Sequence, residues 1–395
     1  MDITLTSLET EHSELLKDKI ASQIASGGGW MPFSRYMEMA LYEPGMGYYS
    51  AGAHKLGAGG DFTTAPELSP LFGAAICSTL LPVLEGLKEN GFPAQILEFG
   101  AGTGKLATAI LTRLKDLGFS LDHYDIIEIS PDLAQRQKEC ITNVVRDLSL
   151  STQCTWLSEL PKDFKGVVLA NEVLDAIPCD AMIFENGFWY WYGVAFEENK
   201  LLWKAGKPVP QDLLPESVLS GNFSEGYVTE LHNPANAWMH QLAKHLNTGL
   251  FLTFDYGFPE SEYYHPQRLE GTLMAHHRHH AIQDPFYLPG LCDLTTHVDW
   301  SQIARSALAE NVDDVFLINQ AAYLLDAGIG DIALEIGDPS NPETFLPISN
   351  SLQKLLSEAE MGELFKAFAF TKNLNDLLPG FTLEDLPGLR GRNRL

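Results

Sequence analysis

The stretch Gln95-Ile-Leu-Glu-Phe-Gly-Ala-Gly-Thr-Gly-Lys105 decides the fold of this chain. Its first half is apolar enough for a buried strand over Ile96–Phe99, and its second half is a glycine turn that leads into a helix from about Lys105. Glycine allows positive φ angles and lets a ligand approach bare backbone. The free N–H groups at the start of the helix suit an anion or a polar ligand edge. The stretch therefore predicts a strand–turn–helix unit that holds a ligand at Gly100, Gly102 and Gly104.

The spacing of these glycines distinguishes between two classes of cofactor. Dinucleotide-binding enzymes carry G-x-G-x-x-G after the first strand, whereas this turn has G-x-G-x-G. The acidic residue Glu98 stands on the strand, two residues before Gly100. Together these features favour S-adenosylmethionine over NAD. A glycine turn with a purely structural role in an α/β protein remains the alternative on this evidence.

Strand and helix patterns alternate along the chain after Ala94. Apolar positions in Leu106–Leu117 recur at helical spacing, and Ser130 with Pro131 forms the start of a second helix that runs to Ile141. This alternation predicts an α/β fold with a parallel sheet covered on both faces. The predicted strands are Ile96–Phe99, Tyr124–Ile129, Cys154–Leu157, Gly166–Ala170 and Gly249–Phe254.

Four segments before and within this alternation carry other patterns. Residues 12–26 and Phe33–Leu41 are predicted helices, and a further helix is predicted over Pro70–Leu80. Aromatic and polar residues alternate over Met182–Lys204 around the hairpin signal Glu185-Asn-Gly187. This segment predicts an inserted β-meander that serves as a lid over the ligand edge of the sheet.

The region Trp300–Leu395 is predicted to be mostly helical, with segments at Ile303–Leu308, Ala321–Leu325 and Met361–Phe370. We therefore expect three parts in the chain. These are an N-terminal helical segment with an active-site loop (1–90), a core (91–180 and 246–395) and an inserted β segment (181–245).

The charge of the chain limits its partners. The formal net charge is −26, from 52 acidic and 26 basic residues among 395. A surface this acidic repels phosphate backbones and anionic membranes, so we expect neither nucleic-acid binding nor membrane insertion. A cationic partner, such as a protein that presents arginine or lysine, suits the charge better.

The cysteines and the N-terminus indicate the compartment. The five cysteines are scattered and include no C-x-x-C pair, which argues against a zinc site or a disulfide framework and for a reducing environment. Residues 1–20 carry several acids and match neither a secretory signal nor an arginine-rich transit peptide. The sequence therefore predicts a cytoplasmic protein with no transmembrane helix.

Open α/β sheets bind ligands beyond the carboxyl ends of their strands. Glu128 stands at the end of the second predicted strand, where it would accept both ribose hydroxyls of an adenosine. A carboxylate suits this task because it accepts two O–H donors at once. The alternative is an exposed acid at a strand end.

The fourth predicted strand runs into Asn171-Glu-Val-Leu-Asp-Ala-Ile-Pro178, where the group to be methylated would face the cofactor. Glu172 and Asp175 are three residues apart, so one helical turn would place both on one face to grip a guanidinium by paired hydrogen bonds. Acids that stabilise a helix N-terminus are the alternative. The fifth strand ends in Asp255-Tyr-Gly257, which adds another acid at the same edge.

The histidines are weaker candidates. A run around Arg278 lacks a nearby cysteine or carboxylate, so we interpret it as a solvated loop and not as a metal site. Its members are His276, His277, His279 and His280. His297 lies between Asp293 and Asp299 and would act either as a base or orienting group or as a structural histidine.

Six blocks of the sequence together resemble a known family. They are Gly60-Asp-Phe-Thr-Thr-Ala-Pro-Glu-Leu-Ser-Pro70, Glu98-Phe-Gly-Ala-Gly-Thr-Gly104, Glu128-Ile-Ser-Pro-Asp132, Ala170-Asn-Glu-Val-Leu-Asp175, Asp255-Tyr-Gly257 and Asp293-Leu-Thr-Thr-His-Val-Asp299. In this order they resemble the MidA family of S-adenosylmethionine-dependent methyltransferases, which includes the mitochondrial assembly factor for respiratory complex I. The resemblance runs over roughly residues 30–370, and several blocks lie outside the generic methyltransferase fold.

The resemblance implies a Rossmann-like class I methyltransferase core with a seven-stranded, mostly parallel sheet. It implies an active-site border at the Gly60–Pro70 loop and at Asn171–Asp175. The cofactor candidates are Glu98, Gly100, Gly102, Gly104, Glu128 and Asn171. The catalytic candidates are Asn171, Glu172, Asp255 and His297, and the substrate-binding candidates are Asp61, Thr63, Thr64 and Asp175.

The leading hypothesis is a methyltransferase that acts on an arginine side chain of a protein. The mitochondrial member of the family implies a respiratory-complex subunit as acceptor, and the oligomeric state stays open, with a homodimer as one option. One alternative is a nucleotide- or dinucleotide-dependent enzyme of similar fold. The other is an assembly chaperone without catalytic activity that keeps a cofactor pocket.

Overall fold

The structure is a computed structural model that describes residues 5–51, 64–278 and 280–395. The chain forms two compact units, each built from three separate segments. The first unit comprises Met1–Phe62, Leu174–Ala237 and Phe258–Asp299, and the second comprises Thr63–Val173, Trp238–Gly257 and Trp300–Leu395. The polypeptide therefore passes between the units repeatedly.

The described residues form helices in both units. In chain order they are α1 (Ser7–Ser26), α2 (Phe33–Tyr42), α3 (Ala65–Leu68), α4 (Pro70–Glu89), α5 (Lys105–Asp116), α6 (Pro131–Asp147), α7 (Glu216–Ser220), α8 (Asn233–His245), α9 (Glu260–Tyr263), α10 (Trp300–Leu308), α11 (Gln320–Asp326), α12 (Ile329–Ile336), α13 (Pro342–Leu356) and α14 (Leu374–Leu377). Two short 3₁₀ turns occupy Gln211–Leu213 and Leu383–Asp385.

The strands are numbered separately. In chain order they are β1 (Gln95–Phe99), β2 (His123–Ile127), β3 (Gln153–Leu157), β4 (Phe164–Asn171), β5 (Asp180–Glu185), β6 (Phe188–Glu197), β7 (Lys200–Pro208), β8 (Val228–Leu231), β9 (Leu246–Phe258), β10 (Met274–His277), β11 (His280–Ile282), β12 (Asp293–Thr295), β13 (Val298–Asp299), β14 (Asp314–Asn319) and β15 (Phe365–Lys372).

The second unit is built on a mixed sheet with the strand order β14-β15-β9-β4-β1-β2-β3. The pairs from β9 through β4, β1 and β2 to β3 are parallel, and β15 runs antiparallel to both of its neighbours. The chain order reverses between β1 and β4, since β2 and β3 lie on one side of β1 and β4 lies on the other. Such a switch point forms a crevice beyond the carboxyl ends of the two strands, which is where open α/β sheets bind ligands. The predicted Rossmann-like, mostly parallel sheet is therefore present.

An apolar cluster packs strands of this sheet against its helices. Side chains of α4, α5, β1, β4, β9 and β15 pack in it, with Ile96, Val167 and Leu252 fully or almost fully buried. Helix α4 is long and apolar enough to span a membrane by length and composition alone, but 72% of its most apolar window is buried inside the structure. Its hydropathy is therefore accounted for by this core.

The first unit is built from two antiparallel sheets. One has the order β7-β6-β5-β8 and the other the order β11-β10-β12. The expected β-meander is present as β5, β6 and β7, joined around the turn residues Asn186 and Gly187, both of which have positive φ. Helices α1 and α2 contribute Leu16, Ile20 and Phe33 to one apolar cluster of this unit.

The predicted helix over Met361–Phe370 is wrong, because most of that segment belongs to strand β15. Its sequence, Phe365-Lys-Ala-Phe-Ala-Phe-Thr-Lys372, alternates large and small side chains, which suits a strand enclosed between two others. Strand β15 pairs with β9 on one side and with β14 on the other. The region after Trp300 is therefore less helical than expected.

Candidate functional site

The glycine turn between β1 and α5 has the geometry expected of a ligand cradle. Gly100, Gly102 and Gly104 have φ angles of 60°, 52° and 85°, which lie in the left-handed region that favours glycine. The Gly100 N–H donates to the carbonyl oxygen of Ile127, which ties the turn to β2 at 3.0 Å. A Cβ on Gly102 would meet no described atom within 4 Å. The backbone of Gly102 therefore faces open space that a ligand can occupy.

Glu98 lies in β1, two residues before the turn, and only 1% of it is exposed. The Tyr124 hydroxyl donates a hydrogen bond of 2.7 Å to its Oε2. Burial raises the pKa of Glu98 to about 7, against the lowering effect of the Tyr124 bond, and the nearby charge of Glu128 raises it further. Glu98 is thus an acid enclosed by protein, close to the turn in sequence.

Glu128 is the first residue after β2, which ends at Ile127, two residues before the strand end that the sequence predicted at Ile129. Its Oε1 accepts the N–H of Ser130 at 2.9 Å, and its Oε2 accepts Nε2 of Gln137 at 2.8 Å. Burial raises the pKa of Glu128, and these hydrogen bonds act in the opposite direction. The carboxylate therefore has a fixed orientation and keeps lone pairs for further O–H donors.

Gln137, on helix α6, is a residue that the sequence reading missed. It is fully buried, and its Nε2 also donates to the carbonyl oxygen of Gly102 at 2.9 Å. Its Oε1 accepts the indole N–H of Trp156 at 2.9 Å. A signal was available, because Gln137 stands four residues before Ile141 on the buried face of an otherwise polar helix.

Glu67 was also missed as a site residue. It lies in the short helix α3, where its Oε1 accepts a short hydrogen bond from the Thr103 hydroxyl. Its Oε2 lies 2.5 Å from Nζ of Lys105. The Pro–Glu–Leu part of the Gly60–Pro70 block therefore fixes the glycine turn on the side of Thr103.

Asn171 and Glu172 lie at the carboxyl end of β4. Asn171 Oδ1 is buried and accepts no hydrogen bond within the described part of the chain, and its Nδ2 donates to Glu172 Oε1 at 3.2 Å. Glu172 has a φ of 52°, and its N–H donates to the carbonyl oxygen of Phe254 on β9 at 2.8 Å. A left-handed backbone is uncommon for glutamate and is found at sites where function fixes the chain.

The expected helical turn that would place Glu172 and Asp175 on one face is wrong. Glu172 has a positive φ, which an α-helix does not allow, and no helix is formed between Asn171 and Pro178. Glu172 belongs to the second unit and Asp175 to the first. The reading of these acids as the N-terminal turn of a helix is wrong for the same reason.

Asp255 does not follow the fifth strand but lies inside it, because β9 extends to Phe258. It is fully buried, and its Oδ1 accepts the N–H of Tyr256 at 2.9 Å. Lys366 stands directly opposite on β15 and is 5% exposed. Opposite charges at directly opposed positions of an antiparallel pair attract one another, so the geometry favours a structural environment for this acid.

His297 belongs to the first unit, between β12 and β13. Its ring stacks on Phe258, with centroids 5.1 Å apart and planes at 9°. Its backbone N–H donates to the Thr272 hydroxyl at 3.1 Å. The guanidinium of Arg268 lies over the ring of Phe258, 4.3 Å from its centroid. A stacked ring of this kind is held in one orientation.

The histidine run is not the solvated loop that the sequence suggested. His276 and His277 lie in β10 and His280 in β11, which pair as a hairpin, and His277 is buried with Nδ1 bonded to the Leu291 carbonyl at 2.8 Å. No group of three His, Cys, Asp or Glu side chains that would suit a metal occurs in residues 5–51, 64–278 and 280–395.

Three substrate-binding candidates fall in the Gly60–Pro70 block. Asp61 and Thr63 lie outside the described residues. Thr64 is the N-cap residue of α3, with extended backbone and no side-chain capping bond. The structure therefore places only the second half of this block.

The residues of the second unit fit an adenosyl cofactor. Gly102 offers open space, Glu128 offers an oriented carboxylate, and Asn171 Oδ1 is a buried acceptor that lacks a described donor. Glu128 follows β2, while the other two stand at the ends of β1 and β4, the strands that border the switch point. These are acceptors for the hydroxyl and amino groups of such a ligand, together with bare backbone for its close approach.

Comparison with protein families supports this assignment. Residues 75–316 match the family model described as "Putative S-adenosyl-L-methionine-dependent methyltransferase". The crystal structure of a chain from Burkholderia thailandensis bound to S-adenosyl-homocysteine is 42% identical, with a TM-score of 0.85, and the match covers 96% of this chain and 98% of that one. The prediction of S-adenosylmethionine as cofactor is confirmed by these matches.

Curated relatives carry more specific names. A protein from Danio rerio named "Protein arginine methyltransferase NDUFAF7, mitochondrial" is 29% identical over 91% of this chain and 87% of that protein. The Homo sapiens protein of the same name is 26% identical over 86% and 80%. The prediction of a MidA-like methyltransferase is confirmed at the level of the family.

The predicted cytoplasmic location is contradicted by these relatives, which are named as mitochondrial proteins. The prediction rested on unpaired cysteines and on the residue pattern near the start of the sequence. Free cysteines indicate a reducing environment but do not distinguish one reducing compartment from another.

Proposed function

The chain belongs to the family of S-adenosyl-L-methionine-dependent methyltransferases whose model it matches, and from this premise we propose that it methylates an arginine side chain of a protein. Family membership excludes a nucleotide- or dinucleotide-dependent enzyme. The names of the curated relatives support arginine as the acceptor. The observation that carries the proposal is the polar end of β4, where Asn171 and Glu172 present acceptors beside the glycine turn.

The cofactor is held by residues of the second unit in this proposal. When bound, S-adenosylmethionine would supply an electrophilic methyl group on its sulfonium; transfer of this methyl group to the acceptor would leave the sulfur as the neutral thioether of S-adenosylhomocysteine. Gly102 gives it room, Glu128 accepts its ribose hydroxyls, and Asn171 Oδ1 accepts one of its N–H groups. Glu98 supports the turn from within the protein.

We assign to Glu172 the binding of the guanidinium of the acceptor arginine. Its Oε1 is held by Asn171 Nδ2, which orients the carboxylate, and its backbone is fixed by the bond to Phe254. A carboxylate attracts a guanidinium and accepts two of its N–H groups, which leaves a third nitrogen to be aligned with the methyl carbon. The same carboxylate accepts the proton that this nitrogen loses as the N–C bond forms and the S–C bond breaks, and it later releases that proton to water.

The remaining candidates take lesser roles in this proposal. Asp255 is fully buried opposite Lys366, so we assign it to the support of β9. His297, Asp175 and Thr64 stay candidates for contacts with the acceptor protein. Following the MidA resemblance, we take that protein to be a subunit of a respiratory complex, and the net charge of −26 favours one that presents a basic segment.

The proposal is tested by radioactive methyl transfer. The wild-type protein is incubated with tritiated S-adenosylmethionine and an extract of its own cells, and labelled proteins are identified by mass spectrometry with methylarginine as the expected product. Glu172→Gln should lower incorporation by roughly a hundredfold, since a neutral amide no longer pairs with the guanidinium. Its affinity for S-adenosylhomocysteine, measured by calorimetry, should change by less than about threefold.

Two further variants serve as controls. Gly102→Val should lose both cofactor binding and transfer, because its side chain fills the space that the cofactor needs. Glu198→Gln changes the same residue type at a comparable φ of 49°, in the exposed hairpin between β6 and β7, and should behave as wild type. Label on lysine would refute the arginine assignment, and full activity of Glu172→Gln would refute the role given to Glu172.

A further inference from the structure

Gln137 forms a link between two parts of the cofactor site, the glycine turn and Glu128. Its side-chain amide reaches the carbonyl oxygen of Gly102 at 2.9 Å and Oε2 of Glu128 at 2.8 Å. Both bonds use the same nitrogen, so they consume both N–H groups of the amide. One side chain therefore sets the position of the glycine turn and of the ribose-binding carboxylate relative to each other.

The orientation of the Gln137 amide is fixed by a third bond. An amide can rotate so that its oxygen and nitrogen exchange places, and the rotated form would direct an acceptor at two other acceptors. The indole N–H of Trp156, on β3, donates to Oε1 at 2.9 Å. Because an indole N–H can only donate, it requires the oxygen on its own side and directs the nitrogen towards Gly102 and Glu128.

Burial makes these bonds strong and costly to lose. Gln137 is fully buried, and it lies where α6 passes close to the turn: a Cβ on Gly104 would lie 3.5 Å from the Gln137 Cα. A hydrogen bond to a charged acceptor contributes more than one between neutral groups, and a buried acceptor left without a donor carries a desolvation penalty. These energies indicate that Gln137 positions its hydrogen-bond partners in addition to filling space.

We propose that Gln137, oriented by Trp156, is a positioning residue that preorganises Glu128 and the Gly102 carbonyl for the adenosine part of the cofactor. The inference rests on the assignment of Glu128 to the ribose but not on the identity of the methyl acceptor. It adds a structural reason for the polar residue on the buried face of α6. Fixed acceptors bind their ligand more tightly because less freedom is lost on binding.

The test measures S-adenosylhomocysteine binding by calorimetry and needs no acceptor protein. Gln137→Leu should raise Kd by roughly tenfold to a hundredfold, since it removes both N–H donors and replaces the amide with an apolar side chain of similar length. Gln137→Glu should raise Kd further, because a second carboxylate then faces Glu128. Gln135→Leu is the matched control: it makes the same substitution at an exposed site of the same helix and should leave Kd unchanged.

A double-mutant cycle separates positioning from a general loss of structure. Because Gln137 acts in part through Glu128, the loss of affinity in the combined Glu128→Gln and Gln137→Leu variant should be smaller than the product of the two single losses, and the bond to the Gly102 carbonyl accounts for the remainder. Independent structural damage would instead multiply the two losses and overturn the proposal. Trp156→Phe keeps an aromatic ring but removes the N–H, and should raise Kd by roughly threefold to tenfold.

The outcomes also distinguish a failure of this proposal from a failure of the assignment of Glu128 to the ribose, on which it rests. If Glu128→Gln alone leaves Kd unchanged, the ribose assignment fails, and with it the coupling. If Glu128→Gln weakens binding while Gln137→Leu and Trp156→Phe bind as wild type, only the role of Gln137 is refuted. Thermal unfolding of each variant shows that it is folded, and Trp156→Phe tests the link should Gln137→Leu fail to fold.

Discussion

Burial gives single residues of this site properties that their sequence positions do not reveal. Glu98 is a glutamate with a pKa of about 7, because almost none of its surface meets water and a single hydroxyl, that of Tyr124, compensates for the lost solvation. Glu172 departs from the ordinary backbone of an L residue, with a φ of 52°. Both are local costs that the surrounding structure supports, and such costs concentrate at functional sites.

The raised pKa of Glu98 predicts a specific dependence of stability on pH. In the folded protein this acid keeps its proton up to about pH 7, whereas in the unfolded chain it releases the proton near the usual value of 4.5. The folded state therefore binds more protons between these values, and the free energy of unfolding falls as pH rises from about 4.5 to about 7. The loss is on the order of 3 kcal/mol.

Glu98→Gln should remove this contribution, because the amide does not titrate and its oxygen still accepts the Tyr124 hydroxyl. Urea unfolding of both proteins at pH 5 and at pH 8 measures it: the variant should gain stability relative to wild type at the higher pH. Glu139→Gln, an exposed acid on α6, should keep the wild-type dependence. Identical pH dependence of Glu98→Gln and wild type would contradict the raised pKa.

At the scale of elements, the glycine turn depends on neighbours that fix it from two sides. Helix α6 supplies Gln137, and the four-residue helix α3 supplies Glu67, which accepts from Thr103 and pairs with Lys105. A turn with three glycines has many conformations to lose, so contacts of this kind reduce the entropy that ligand binding would otherwise have to overcome. The last third of the family-specific Gly60–Pro70 block, which contains Glu67, therefore has a structural role: it holds the glycine turn.

The two contacts of Glu67 should differ in importance. The pair with Lys105 is largely solvent-exposed, and exposed ion pairs contribute little. Glu67→Gln keeps an acceptor for the Thr103 hydroxyl, so its affinity for S-adenosylhomocysteine should stay within about threefold of wild type. Glu67→Ala loses both contacts and should bind roughly tenfold more weakly. Calorimetry compares them, and Thr103→Val should match Glu67→Ala; a larger loss in Glu67→Gln than in Glu67→Ala would contradict this account.

At the scale of the whole molecule, charge is the dominant feature. A net charge of −26 creates a negative potential that attracts basic segments and repels polyanions. The potential acts over distances comparable to the Debye length, which shrinks from roughly 14 Å at about 50 mM salt to roughly 4 Å at about 500 mM. Association with a basic acceptor is therefore sensitive to ionic strength, whereas chemistry within the site is not.

Methyl transfer to an arginine-rich peptide should show this difference. Between about 50 mM and about 500 mM salt, kcat/KM should fall by roughly tenfold while kcat stays nearly constant, because salt screens the encounter and not the aligned complex. A peptide with the same target arginine but acidic flanking residues is the control, and its kcat/KM should rise or stay level. Equal salt dependence of both peptides would show that whole-molecule charge does not steer the acceptor.

The local parts of this protein follow from its sequence. The strand of residues 95–99, the turn with positive φ at Gly100, Gly102 and Gly104, and the helix from Lys105 are predicted by short-range rules, because glycine conformation and apolar periodicity are properties of neighbouring residues. The α/β class follows for the same reason. The G-x-G-x-G spacing and the position of Glu128 also suffice to indicate the cofactor.

Only the tertiary structure decides which distant residues act together. The order of strands around β1 and β4 brings the glycine turn beside Asn171, and α6 brings Gln137 to both Gly102 and Glu128. No pattern in the sequence indicates which of these residues are partners. Strand β15 escaped prediction because its burial depends on pairing with distant residues, about 50 positions earlier on β14 and more than a hundred positions earlier on β9. Local propensity fixes the elements, whereas register, burial and hydrogen-bond partners are settled by the packing of the whole chain.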